Sequence, residues 1–112
     1  MNLTGGVGLF GNPTRTNILL ILGLVGESHA SELGRLIGTS ASNIGKALDA
    51  LEQAGVIARV AVGRSNRVSL DPRYYAHREL RALLEKLAMA DTELLQLLGQ
   101  VRRRPRQRGR VL

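Results

Sequence analysis

The sequence predicts a mostly α-helical domain that carries one small β-hairpin. Two observations lead there. Apolar residues recur at helical spacing in several stretches, most clearly Ile44, Leu48 and Leu51 at i, i+4 and i+7. Between these stretches the pattern switches once to a β-branched run, Val56-Ile57-Ala58-Arg59-Val60-Ala61-Val62, which a Gly-containing cluster separates from the alternating Arg67-Val68-Ser69-Leu70. The chain of 112 residues is 44% hydrophobic, enough for one domain with its own core. Aromatics contribute only 3%, so that core has to be aliphatic.

The elements follow in order. Residues 1–12 are rich in glycine and lack periodicity, which reads as a flexible arm. Asn12-Pro13 opens the first helix as N-cap and first helical residue, Ile18, Leu19, Ile21, Leu22 and Val25 form its apolar face, and Gly23 and Gly26 are expected to close it. A short second helix is expected to start near Ser28 or His29 and to stop at Gly38. Thr39 and Ser40 offer caps for a third helix that ends at Ala54-Gly55. In the hairpin, Gly63-Arg64-Ser65-Asn66 reads as the turn. Asp71-Pro72 starts a leucine-striped helical segment, in which Asp91 marks an expected break. The organisation is thus a 1–12 arm, a 13–71 core, a 72–100 helical segment and a 101–112 Arg-rich tail, which has little to bury and is expected to be disordered alone.

Several chemistries are excluded or disfavoured. The absence of cysteine rules out disulfides, Cys-ligated zinc, iron–sulfur clusters and thiol catalysis. The run Ile18 to Val25 is far short of the ~20 residues needed to span a bilayer, and no basic region precedes an apolar stretch at the N-terminus. No membrane partner and a cytoplasmic location are expected. Gly6-Val7-Gly8-Leu9-Phe10-Gly11 spells GxGxxG, but no strand can precede it, so the mechanism of a dinucleotide-binding loop is missing. His29 and His77 have no close partner at metal-ligand spacing. Ser, His and Asp occur without a local signature that would organise them as a triad, so no enzyme activity and no cofactor are expected.

The order helix, short helix, tight turn, helix, hairpin, long helix is the layout of a winged helix-turn-helix. Phe10-Gly11-Asn12-Pro13-Thr14-Arg15 with Ile18-Leu19, Ser31-Glu32-Leu33-Gly34 with Ile37-Gly38, Ala47-Leu48 with Leu51 and Ala54-Gly55-Val56-Ile57, and Gly63-Arg64 together resemble the ArsR-type and MarR-type winged-helix transcriptional regulators over roughly residues 9–88. The resemblance implies a cytoplasmic, nucleoid-associated regulator, a repressor by default, whose partner is double-stranded DNA. ArsR-type sensors often hold metal through a cysteine pair or a C-terminal Asp/His set. This sequence has neither pattern, and no metal is expected.

Helix geometry then selects the candidate contacts. With Ile44, Leu48 and Leu51 inward, Ser42, Asn43, Lys46, Asp49 and Gln53 project outward. Ser40 and Ser42 suit phosphate or base-edge hydrogen bonds near the helix N-terminus, Asn43 suits adenine, and Lys46 reaches guanine or phosphate. The wing offers Arg59, Arg64, Asn66 and Arg67 for the backbone or minor groove. Arg15 and Arg35 are weaker backbone candidates.

The net charge of +7 is unevenly spread. Residues 102–110 hold six arginines, Arg102, Arg103, Arg104, Arg106, Arg108 and Arg110, and no acid; the rest of the chain has ten basic residues against nine acidic, a net of +1. The tail is therefore expected to add sequence-blind phosphate affinity. The near-neutral body keeps a second reading open, a winged-helix module that docks a protein partner. Leucines are dense between Leu80 and Leu98, more than one small chain readily covers. A homodimer through Leu80, Leu83, Leu84, Leu87, Leu94 and Leu98 is expected, placing two recognition helices about 34 Å apart on an approximate palindrome. Nothing in the sequence names an effector ligand.

Overall fold

The computed structural model describes residues 10–102, with side chains described as far as Gly99. The start of the Gly-rich arm, with Gly6 and Gly8, and the tail arginines Arg103, Arg104, Arg106, Arg108 and Arg110 lie outside the described residues, as does the side chain of Arg102.

Helix α1 spans Pro13–Val25. Asn12 caps it, its Oδ1 accepting the Arg15 N–H at 2.8 Å, and Pro13 occupies the first turn, where no N–H is needed. Residues 18–23 are all buried, so α1 runs through the middle of the domain. Gly26 closes it at φ 89°. Gly23 does not close it. It lies one turn inside the helix, and a Cβ there would stand 2.7 Å from the Leu84 Cβ, so this glycine permits a close helix crossing.

The residues expected to start the second helix belong to a strand. β1 (Glu27–His29) pairs antiparallel with β3 (Ser65–Leu70), with Ser28 opposite Val68. Three residues, two of them exposed, carry no hydrophobic period. They are extended because β3 has a second edge to offer. Helix α2 follows as Ala30–Ile37 and ends at Gly38, whose left-handed φ of 80° suits glycine. After Thr39, Ser40 caps α3 (Ala41–Gln53), its Oγ accepting the Asn43 N–H at 3.1 Å. Ile44, Ala47, Leu48 and Leu51 are the buried face of α3.

Strand β2 (Ile57–Val62) pairs with the other edge of β3, giving a three-stranded antiparallel sheet in the order β1-β3-β2. The turn is shorter than expected. Val62 pairs with Ser65, so only Gly63 and Arg64 form the loop, and Ser65 and Asn66 already belong to β3. Gly63 at φ 61° followed by a residue of negative φ is what a two-residue II′-type hairpin requires.

Asp71 ends the sheet, its N–H bonded to the Val56 carbonyl at 2.9 Å. Helices α4 (His77–Met89) and α5 (Thr92–Arg102) complete the domain. The expected break lies at Asp91, which is buried and accepts the Leu94 N–H at 3.0 Å as the cap of α5. That break brings Leu94 and Leu98 into the same buried cluster as Leu84. Three of the six leucines expected at a dimer interface are therefore committed to the chain's own core. Leu80 and Leu87 are half-buried, and Leu83 is exposed, as are Met89 and Leu97. Among the described residues, no helix is long and apolar enough to cross a membrane.

Candidate nucleic-acid interface

The site is built on α3 because only four of its 13 residues are buried. Burying Ile44, Ala47, Leu48 and Leu51 turns Ser42, Asn43 and Lys46 to solvent. Ser40 spends one oxygen lone pair on the cap, which leaves its O–H to donate outward. Asn43 gives one amide hydrogen to the Thr39 Oγ1 at 2.9 Å, which holds its side chain over the helix start. Lys46 is exposed, and among the described residues no hydrogen bond or ion pair engages it.

The wing arginines differ in their commitments. Arg59 points inward to α3, its Nη2 lying 2.6 Å from both the Asp49 Oδ1 and the Glu52 Oε1, and its Nε 3.1 Å from Glu52. These bonds, Glu52's first, raise its pKa, and the Arg59 side chain is only 21% exposed. It is a clamp between β2 and the C-terminal half of α3. Arg67 reaches Glu27 across the sheet at 3.8 Å and stays half-exposed. Arg64 sits at the turn, exposed, and among the described residues nothing engages it. Asn66 is exposed beside it on β3. On α2, Arg35 pairs with Glu32 at 3.3 Å. Arg15 is half-buried at the start of α1, and its Nε has no partner among the described residues.

The structure thus brings Ser40, Ser42, Asn43 and Lys46 onto one exposed helical surface and sets Arg64 and Asn66 at the end of the adjoining hairpin. A groove of about 620 Å³ is walled by α2, the Ala41, Gly45 and Leu48 flank of α3 and the wing; it takes in Arg64 and Asn66 but not Ser40, Ser42, Asn43 or Lys46. Sequence reasoning missed Glu52 and gave Thr39 only a capping role, whereas its Oγ1 holds the Asn43 amide. Asp49 and Glu52, three apart on the flank of α3 that meets β2, were the available signal for the clamp. Among the described residues, no group of three or more His, Asp and Glu side chains is placed to hold a metal ion.

This helix, turn, helix and wing arrangement agrees with what known proteins show. The MarR family model matches residues 12–68, from the cap of α1 to the middle of β3. The chain belongs to the MarR family. A probable transcriptional regulator from Pseudomonas aeruginosa is 30% identical, with a TM-score of 0.57 over 87% of this chain and 71% of that one. A MarR family transcriptional regulator from Silicibacter pomeroyi DSS-3 is 26% identical, with a TM-score of 0.54 over 80% of this chain and 61% of that one. ZitR from Lactococcus lactis, solved as a cysteine-to-serine mutant in complex with DNA, shares the fold at 18% identity and a TM-score of 0.58, over 80% of this chain. The present MarR-family chain spans only about 60% of that ZitR chain. No curated protein matches it significantly.

Proposed function

We propose that this MarR-family chain is a sequence-specific, double-stranded-DNA-binding transcriptional regulator that acts as a homodimer and represses by occupying its operator. One observation carries the reading. Lys46 on α3 and Arg64 on the wing are exposed and unengaged among the described residues, whereas Arg35, Arg59 and Arg67 are paired within the fold. In the reading, α3 enters the major groove with Ser40, Ser42, Asn43 and Lys46, and the wing lies on the backbone or minor groove through Arg64, Asn66 and Arg67. Arg59 acts through α3: it neutralises one of two carboxylates that would otherwise repel phosphate.

The arm, the winged core, the C-terminal helices and the Arg-rich tail take separate roles. Leu83, Met89 and Leu97, with half-buried Leu80 and Leu87, are the apolar surface on α4 and α5 available to a second copy. The tail adds affinity without sequence preference.

The test is fluorescence anisotropy on a duplex enriched from random sequence with the wild-type protein. Lys46→Ala and Arg64→Ala should each weaken binding by roughly tenfold, equivalent to about 1.4 kcal/mol. Each should also lower the salt slope by about 0.9 if it removes one phosphate contact. Wild-type affinity in both variants would overturn the assignment. Sedimentation that shows a monomer at concentrations where DNA is bound would overturn the homodimer.

A further inference from the structure

The groove between α3 and the wing contains a helix glycine that nothing inside the fold explains. Gly45 lies in the interior of α3, where glycine is disfavoured relative to alanine because it loses more backbone freedom. Gly23 of α1 has an internal reason, since a Cβ there would meet Leu84, whereas at Gly34 of α2 a Cβ would make only ordinary contact, 3.5 Å from the Ile44 Cγ1 and the Thr39 carbonyl oxygen. At Gly45, among the described residues, no heavy atom beyond its own helix comes within 4 Å of such a Cβ.

Its position gives the space a direction. Gly45, Asp49 and Glu52 stand at i, i+4 and i+7, on the flank of α3 that faces the wing. One and two turns beyond Gly45, that flank is closed by the Arg59 clamp. At the level of Gly45 it is open, and Gly45 lines the 620 Å³ groove together with Ala41 and Leu48 of α3, Arg35 of α2, and Arg59, Arg64 and Asn66 of the wing. Of these arginines, Arg35 and Arg59 are ion-paired and Arg64, among the described residues, is not. The backbone of α3 is therefore bare where an uncommitted guanidinium stands across the groove. The clamp leaves two carboxylates sharing one guanidinium, a net charge of −1, so an anionic strand is favoured at the Gly45 end and repelled at the other.

We infer that Gly45 is a close-approach position at which the sugar–phosphate strand of duplex DNA lies against the α3 backbone, opposite Arg64. The inference rests on the DNA-binding reading above and adds a residue to it that has no side-chain donor, acceptor or charge.

The experiment compares full-length wild type, Gly45→Ala, Gly45→Val and Gly99→Ala. The probe is the duplex enriched on the wild type, and thermal unfolding is measured in parallel. Gly99 also lies in a helix with nothing within 4 Å of its Cβ, so its substitution gives the same kind of backbone gain away from the groove. Gly45→Ala and Gly99→Ala should both raise the unfolding midpoint, by roughly 4–8 °C if the full glycine-to-alanine difference is realised. Gly45→Ala should nevertheless bind the duplex about tenfold more weakly, Gly45→Val more weakly still, and Gly99→Ala as wild type does. Wild-type affinity in Gly45→Ala overturns the inference. So does a lowered midpoint in that variant, since the fold itself would then need the glycine. A wild type that prefers no duplex overturns the underlying reading, and that failure is visible before any variant is compared.

Discussion

Helices α1 and α3 are both 13 residues long, and each has a glycine in its interior, yet they are built for opposite purposes. α1 is buried on nearly every side through its second half, and its Gly23 is occupied territory, with Leu84 pressed against the bare backbone. α3 buries one stripe and leaves the rest to solvent, and the space at its Gly45 is open. The same residue type thus answers a packing demand in one helix and leaves a surface available in the other. A helix that carries stability has little freedom to carry recognition, and of the two only α3 keeps a broad exposed face.

The comparison is sharpened most by Leu20→Ala. Leu20 is fully buried in α1, and its truncation should cost about 2–5 kcal/mol in urea unfolding, through lost transfer energy and the cavity left behind. A change of the same size at an exposed α3 position such as Ser42 would break the distinction. Gly23→Ala comes next. The added methyl meets a Cβ and, at 3.4 Å, the backbone carbon of Leu84, neither of which is a flexible end, so α4 must shift at a cost of about 1–3 kcal/mol. The opposite sign is expected at Gly45, and the pair measured side by side is the direct test.

Arg59→Ala is expected to act mainly on binding. The three side chains of the clamp are partly solvated, so stability should fall by only about 0–1 kcal/mol. DNA affinity should fall further, since Asp49 and Glu52 then face phosphate unneutralised. Adding Asp49→Asn and Glu52→Gln to Arg59→Ala should restore part of the binding; no restoration would mean that Arg59 touches DNA itself.

The smallest effect is acid dependence at Asp71. Hydrogen bonds from the Arg73 side chain and backbone hold its carboxyl below the ordinary aspartate range. Its contribution is present above the unfolded-state value and is lost as pH falls through the lower folded value. The stability difference between wild type and Asp71→Asn should therefore shrink on acidification. A difference that grows towards low pH would contradict this.

Most of the fold was legible because its signals are local. Asn12-Pro13, Gly38, Ser40 and Asp91 act on groups within four residues of themselves, and the stripe Ile44, Leu48, Leu51 needs only the helical period. The outward set on α3 followed from that same stripe by geometry. Four features depend on partners distant in the chain, and these the sequence left undetermined. β1 is extended because Val68 and its neighbours offer a free edge some forty residues later, and Glu27-Ser28-His29 carries no β period of its own. Gly23 reads as a helix stop until Leu84 arrives beside it. Leu84, Leu94 and Leu98 read as surplus apolar surface until the turn at Asp91 gives them a core. Arg59 looks as available as Arg64 along the chain, and only the approach of β2 to α3 commits one guanidinium and leaves the other exposed. The sequence by itself determined the helices, the caps and the exposed face of α3, because each rests on spacing and short-range hydrogen bonds. Tertiary structure alone decided which glycines, leucines and arginines serve the fold and which face outward, because burial and ion pairing are properties of neighbours in space.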